Sequence, residues 1–546
     1  MRRRRLRVGI LDILTTPARS VGEAAYDLVF TKQYGAIMPQ AIAVWSRRLG
    51  HATFYATYHG VGDPRRRLPD DLDVVFIASY TQASALAYAL AKLYRRAGTL
   101  TVIGGPHAKS YPRDCLRFFD IAVGECDRAL VTDILCGAID PGTFVTSGQP
   151  FADVPLVEER MPELRAATFA WGRRPFFATT IPLLASTGCP YACDFCIDWE
   201  RPYRLLPRDR LAADLCYLST RLPGVMYGFH DPNFAVRFDE VLDVMDTVPR
   251  GARNPYIMET SLSVLRGARM ARLAASHCVS VAPGIESWAE YSHKAGVGRA
   301  TGAAKVDRLV AHFTALHEHV PYLQANFMFG LDADRGDEPV ELTKAFMSRT
   351  PFVWPVVNIP HPFGGTPLFE RCRAEGRLLA AMPFSFYYSP HLVTVPPHYG
   401  PLVYYEKLIE LFQHFTAPAM LGRRLASTRS AFVRLAHVVR THTKRQRLRA
   451  FRRLAGRLRE DAAFRAFHEG ESTRLPEFYQ REYERTLGPF APLLSRAERV
   501  PVLEPLAQRT TTAPASLWGS PAATGSPSAR RPTADTSPIP GTSLTR

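Results

Sequence analysis

Cys189, Cys193 and Cys196 lie within eight residues, in the order Cys189-Pro-Tyr-Ala-Cys193-Asp-Phe-Cys196. Thiols this close share one soft metal centre, oxidise to a disulfide, or lie unused. Three is one short of the four sulfurs that close a tetrahedral zinc site or fully ligate an iron–sulfur cluster. A [4Fe–4S] cluster held by three cysteines keeps one iron open to a substrate or cofactor, so the spacing points to open-site metal chemistry. The remaining cysteines are scattered and offer no disulfide framework, which predicts a reducing, cytoplasmic setting.

The elements around the loop must hold it at the end of a strand. The apolar run Ile181–Ala185 reads as that strand, and Ser186-Thr187-Gly188 as the turn leaving it. Further strands are expected at Val225–Phe229, Pro255–Met258, Ser280–Pro283, Leu323–Phe329 and Val356–Ile359, with helices between them. Ahead of the loop, extended runs at Arg7–Leu14, His51–Tyr58, Asp73–Ser79, Thr101–Ile103 and Phe119–Val123 alternate with helical stretches at Ala36–Leu49 and Ala83–Ala97 and one ending near Cys136. Repeated β–α units of this length predict an α/β fold, a Rossmann-like doubly wound parallel sheet that binds ligands at the carboxyl ends of its strands. Two such ends carry Ser79-Tyr80-Thr81 and Gly104-Gly105-Pro106-His107. A double glycine allows close backbone approach to a ligand, although a plain turn uses the same dipeptide.

The chain divides on this reading into a sheet domain at 1–150, a Pro-, Gly- and Arg-rich linker at 151–180, a second αβ series at 181–395, a basic helical region at 396–505, and a Pro/Ser/Thr-rich disordered tail at 506–546. At 546 residues it is too long for one core, and 46% hydrophobic against 22% charged residues is enough to bury several. No run of eighteen uncharged apolar residues is present, which predicts no spanning helix. The basic start Met1–Arg7 is followed by an apolar run broken at Asp12, a better first strand than a signal peptide.

The net charge of +17 is concentrated. Between Leu421 and Arg459 there are thirteen Lys/Arg residues and no acidic one. Phe432, Leu435, Val438, Val439, Leu448, Phe451, Leu454 and Leu458 approximate helical spacing there, so the segment reads as one or two basic amphipathic helices. Such helices serve as a solvated outer face or as contact with a membrane surface or another anionic partner. No aromatic stacking platform accompanies the arginines, which argues against nucleic acid.

With these motifs in place, the sequence resembles the radical S-adenosylmethionine (SAM) superfamily, and within it the enzymes with an N-terminal cobalamin-binding-type domain. The resemblance covers roughly residues 1–395. It implies a partial (β/α)₆ TIM-like barrel whose first strand carries the cysteine loop. Cys189, Cys193 and Cys196 would ligate three irons of a [4Fe–4S] cluster, and the fourth iron would be chelated by SAM. One electron from the cluster would split the sulfonium into methionine and a 5′-deoxyadenosyl radical. Phe195 matches an aromatic position near the adenine. His230-Asp231-Pro232-Asn233-Phe234 resembles the family element near the SAM amino group, which makes Asp231 a SAM-side residue. Glu259-Thr260-Ser261 and Gly284-Ile285-Glu286-Ser287 sit at the next strand ends, so the resemblance assigns Glu259, Ser261, Gly284 and Glu286 to the SAM side as well. Ser261 and Ser287 also suit helix N-caps. Asn326, Gly330-Leu331-Asp332 and Gly365-Thr366-Pro367 are weaker matches on the substrate side.

Cobalamin-binding domains of the methionine synthase type resemble this chain at Ser79, Gly104 and Gly105, but Leu14 stands where their cobalt-ligating histidine would be. His59 and His107 read as loop or turn residues rather than cobalt ligands. The implied cofactors are the cluster, SAM and cobalamin. The implied reaction is methylation of an unactivated carbon of a small-molecule or lipid substrate, with an electron donor such as flavodoxin or ferredoxin. Radical cyclisation or rearrangement without methyl transfer stays open at this point, as does a non-catalytic cluster or corrinoid sensor. Tyr387, Tyr388 and His391 are read as possible entrance residues, or as packing.

Overall fold

The computed structural model describes residues 4–33, 35–171, 174–176, 180–506 and 509–511. Two parallel sheets organise it. In the first, β1 (Arg7–Ile13), β2 (Ala52–Tyr58), β3 (Val74–Ser79), β4 (Leu100–Gly104), β5 (Ile121–Val123) and β6 (Thr143–Ser147) lie in the order 6-5-4-3-1-2, all parallel. The reversal of order falls at β1 and β3, where Val8–Ile13 pair with Val74–Ser79. Loops leaving neighbouring strands diverge there and open a crevice at the carboxyl ends. Apolar strand interiors such as Val75, Ile77 and Ile103 are fully buried, as parallel strands covered on both faces require.

The hairpin β7 (Phe169–Trp171) and β8 (Arg174–Phe176) precedes the second sheet. That sheet is built from β9 (Ile181–Leu183), β12 (Tyr227–Phe229), β13 (Tyr256–Thr260), β14 (Cys278–Glu286), β15 (Tyr322–Met328) and β16 (Val353–Asn358), in sequence order and all parallel, while the ribbon of β10 (Ser186–Thr187) and β11 (Arg204–Leu205) stands between its first two strands in the chain. Six parallel strands with helices between them form the partial barrel, and β9 and β16 are its edges. β17 (Arg509–Thr511) returns to pair with β6. Apart from those three residues and residue 506, the tail expected to be disordered lies outside the described residues.

The stretch read as a linker contains a packed helix, Val157–Ala167. Its Arg160 is buried and donates to Gln40 Oε1 (2.8 Å) beside the first sheet and to the Pro182 carbonyl (3.1 Å) on β9. This helix therefore ties the two sheets together. Pro162 inside it and its weak apolar stripe concealed it in the sequence.

Beyond the barrel come the helices Pro401–Thr416, Pro418–Ala426, Ala431–Glu460, Ala462–His468 and Glu477–Leu487. The 30-residue helix Ala431–Glu460 starts at Ser430, whose hydroxyl accepts from the Val433 N–H. It buries Val433, His437, Thr441, Leu448, Phe451, Leu454 and Leu458, His437 against Tyr322 and Trp354 of the barrel and Phe451 against Tyr405 and Phe412 of the helix Pro401–Thr416. Phe432, Leu435, Val438 and Val439 remain exposed. Among the described residues no helix is long and apolar enough to cross a membrane.

Candidate active site at the cysteine loop

The loop folds back on the ribbon that follows β9. Gly188 adopts a positive φ (+71°), and a Cβ there would collide with the Pro202 carbonyl, so only glycine lets the two segments meet. Cys189 N–H then donates to the Arg201 carbonyl (3.1 Å), Cys196 N–H to Cys193 (3.0 Å) and Trp199 N–H to Cys196 (3.1 Å). Cys193 is buried, and Cys189 and Cys196 are half-buried and unbridged. Burial pushes Cys193 up to about 12 and raises Cys196, while the Lys294 ammonium pulls both back. Burial alone would lower Lys294, but Glu286, Cys193 and Cys189 together hold it above the ordinary lysine range. The Lys294 ammonium thus faces the cysteine sulfurs.

Lys294 donates to Glu286 Oε1 at 3.2 Å, and both side chains are largely buried. Glu286 sits at φ +65° next to a register shift in the β14–β15 pairing, a bulge that re-aims its side chain. Its carboxylate lies over Gly284, where a Cβ would overlap it. Glu259 is open to solvent at its strand end. Burial by surrounding groups still raises its carboxyl, with Lys294 opposing and Glu286 reinforcing.

Asp231, expected on the SAM side, turns toward the strand that leads into the cysteine loop. Its buried carboxylate accepts from the Ala185 N–H (3.1 Å) and the Ser186 hydroxyl (2.5 Å), at the root of the cysteine loop. It positions the loop. Burial pushes it up to about 7 against the pull of those hydrogen bonds. Two residues on, Asn233 points its Nδ2 at Cys189 Sγ (3.7 Å) and Ser261 Oγ (3.5 Å), and its buried Oδ1 has no partner. Ser261 makes no capping bond and instead accepts from Ser263 (3.1 Å), whose hydroxyl also meets Tyr191 OH (2.6 Å). Ser287 accepts from the Ala289 N–H (3.1 Å). Phe195 stacks on Tyr291 with ring centroids 6.1 Å apart, and Asp194 binds Tyr291 and Arg371 (2.5 Å). Asn233 lies inside the motif His230–Phe234, but its sequence position alone does not show that it faces Cys189, and nothing local in the sequence marks Lys294.

A cavity of about 350 Å³ opens at the carboxyl ends of β1, β3, β4 and β5 and reaches the cysteine loop. Asp12, Ser79, Gly104, Gly105 and Glu125 line it from the first sheet, and Thr187, Gly188, Asp198, Arg201 and His230 from the barrel side. Gly105 has φ +97°, and a Cβ there would stand 3.1 Å from the Ser79 carbonyl, so the backbone approaches closely at the expected position. The Ser79 hydroxyl donates to the adjacent Tyr80 carbonyl (2.9 Å). Burial pushes Asp12 up to about 7, opposed by its bond from the Ala36 N–H (2.7 Å). Leu14 is buried outside the cavity lining. His107 is fully buried on Tyr88 OH (2.5 Å), and His59 is buried with neither ring nitrogen partnered; neither lines the cavity.

Three free thiols beside a buried cation form a donor set that suits an iron–sulfur cluster. Among the described residues no three His, Cys, Asp or Glu side chains already enclose a metal ion, so the loop would draw its sulfurs together as the cluster binds. The orphaned Asn233 Oδ1 beside Cys189 is an acceptor for an ammonium group such as that of SAM. The cavity beside the glycine pair, next to this site, fits a broad corrinoid face.

No family model matches the chain. Two curated proteins of Chlorobaculum tepidum do. Bacteriochlorophyllide d C-12(1)-methyltransferase is 25% identical over 359 residues, covering 63% of this chain and 75% of that protein. Bacteriochlorophyllide d C-8(2)-methyltransferase is 23% identical over 401 residues, covering 70% and 86%. Among solved structures, the radical S-adenosylmethionine methyltransferase TsrM of Kitasatospora setae, with cobalamin and a [4Fe–4S] cluster bound, superposes with a TM-score of 0.51 at 13% identity. That match covers 82% of this chain and all of the other. The fold is shared with that structure: a parallel sheet domain followed by a partial barrel whose first strand leads into the cysteine loop.

Proposed function

We propose that this chain is a cobalamin-dependent radical SAM methyltransferase that methylates an unactivated carbon of a small molecule. The observation that carries the reading is that the cavity on the first sheet runs up to the loop bearing Cys189, Cys193 and Cys196. The methyltransferase names of the two curated relatives and of the structural neighbour support the same chemistry. When bound, the cluster with SAM supplies a 5′-deoxyadenosyl radical, and cobalamin a transferable methyl group.

The chain's own residues would hold and orient these groups. Cys189, Cys193 and Cys196 would ligate iron, with Lys294 balancing the negative charge of thiolates and cluster. Asn233 Oδ1, Glu259 and Glu286 offer acceptors to the SAM ammonium, and Ser261 fixes Asn233. The Phe195–Tyr291 stack provides an apolar wall for a flat base. Asp231 anchors the strand-to-loop turn. Ser79, Gly104 and Gly105 shape the corrinoid side. An acidic electron donor such as flavodoxin or ferredoxin would deliver the reducing electron.

The test is anaerobic reconstitution with iron, sulfide, cobalamin and methyl-deuterated SAM. The reading requires 5′-deoxyadenosine that depends on all three cysteines, and deuterium in the product. Radical products free of label would remove methyl transfer and leave the rearrangement reading. The exposed stripe Phe432, Leu435, Val438 and Val439 on the basic helix further supports peripheral contact with an anionic bilayer. Cosedimentation with phosphatidylserine vesicles, lost in Phe432→Glu, checks it; equal recovery of both proteins with the vesicles rejects it.

A further inference from the structure

The positive charge of the helix Ala431–Glu460 is divided between two faces. Arg434, Arg445, Arg449, Arg452 and Arg453 are exposed. Arg440, Lys444 and Arg447, spaced by four and three residues, are half-buried on the side that also buries His437, Thr441, Leu448 and Phe451. Arg440 is engaged, donating to Gln324 Oε1 on β15 at 2.6 Å and lying over the Tyr322 ring. The other two are not. Lys444 meets only the face of Phe412, 5.6 Å from its centroid, among the described residues. Arg447 has a buried Nη1 without an acceptor.

Arg447 lies within electrostatic reach of two histidines. His361, just past the carboxyl end of β16, places Nε2 3.2 Å from the His391 carbonyl, and His391 Nδ1 is buried without a partner. Burial and then Arg447 and Arg440 lower Lys444 to about 8. Burial lowers Arg447, with only Tyr388 opposing. Burial also lowers His391 well below its usual range, with Arg447, His468, His361 and Arg19 adding to it. Among the described residues neither Lys444 nor Arg447 has a carboxylate within ion-pair distance. Lys109, by contrast, is a half-buried cation paired with acids, Asp198 (2.9 Å) and Glu125 (3.1 Å).

His361 also stands at the carboxyl end of the barrel strand β16. The segment carrying His361 is pinned to the cysteine loop by Trp199 Nε1 donating to the Gly365 carbonyl (2.9 Å) and Leu368 N–H to the Asp194 carbonyl (3.0 Å). Ligands of such barrels bind at the carboxyl ends of the strands. We propose that Lys444 and Arg447, with the imidazoles of His361 and His391, form the subsite that receives an anionic group of the substrate, a carboxylate or a phosphate. It rests on the methyltransferase reading for the reaction alone. Crowded cations without a counter-charge are costly, and a bound anion supplies both the missing charge and the missing acceptors.

The test is thermal melting of the full chain, titrated separately with benzoate and with inorganic phosphate at ionic strength held constant with chloride. One anion is expected to raise the melting temperature saturably. Benzoate identifies a carboxylate substrate and phosphate a phosphorylated one. Arg447→Gln and Lys444→Gln should each weaken that binding by about tenfold, Arg447→Lys less, and the exterior Arg452→Gln not at all. Neither anion saturating, or Lys444→Gln and Arg447→Lys both binding as the parent does, would overturn the subsite even if Arg447→Gln fails to fold. Since the titration uses no SAM, a parent enzyme that binds the anion but forms no 5′-deoxyadenosine would count against the reaction and leave the subsite standing.

Discussion

The carboxylate of Glu286 occupies the place a side chain on Gly284 would need, and Glu286 can reach it only because its own backbone turns to φ +65°. The Gly-x-Glu spacing is therefore a steric contract within one bulge. Gly284→Ala should push Glu286 away from Lys294 and cost about 1–3 kcal/mol. Melting of the apoprotein, together with SAM affinity by equilibrium dialysis, measures it; a variant that melts and binds like the parent would show that the bulge relaxes freely.

Lys294→Met should be more damaging. It strands Glu286, whose side chain is only 7% exposed, without its counter-charge, at about 3 kcal/mol. It also removes the cation beside the cysteine sulfurs, so the reconstituted cluster should become harder to reduce. Lys294→Arg should keep most of the stability. A redox titration followed by electron paramagnetic resonance separates the electrostatic effect from mere unfolding.

Two buried carboxyls give the apoprotein a defined pH response. Asp12 and Asp231 are each raised to about 7 from 3.8, chiefly by burial. The folded state holds these protons where the unfolded state has lost them, so their favourable contribution is complete below about pH 3.8. It declines as pH rises and is gone above about 7, amounting to at most about 4 kcal/mol per group. Asp12→Asn should flatten part of this slope. Urea denaturation at several pH values between 5 and 8 reads it, and parallel slopes for the two proteins would refute the assignment.

Gly105→Val should close the corrinoid side selectively. The new side chain would meet the Ser79 backbone at a positive φ that valine resists, at about 1–3 kcal/mol. Binding of hydroxocobalamin, followed by its visible spectrum, should fall at least about tenfold, while iron content after reconstitution stays at the parent level.

Most of the scaffold was readable because parallel strands advertise themselves as apolar runs: Val74–Ser79 and Tyr322–Met328 fall within a residue of the expected bounds. The cysteine loop was equally plain, since its chemistry is local. What stayed hidden depends on convergence from distant parts of the chain. Lys294 is an ordinary loop lysine until β14 and the cysteine loop meet around it. Position in a motif does not reveal which way a side chain turns, so the bonds of Asp231 to Ala185 and Ser186 were not legible either. The charge of the long helix was visible, yet only its packing shows that Lys444 and Arg447 turn inward.

The ions along the seam between the two sheets bear on maturation. Lys109 joins Glu125 (3.1 Å) and Asp198 (2.9 Å), and Arg201 also binds Glu125, so one wall of the cavity on the first sheet and the far end of the cysteine loop are fastened by the same acid. Seating one cofactor should stiffen the bed of the other, making the order of loading matter. Chains given cobalamin first are expected to retain more iron per polypeptide than chains given it last, and Glu125→Gln should erase that difference.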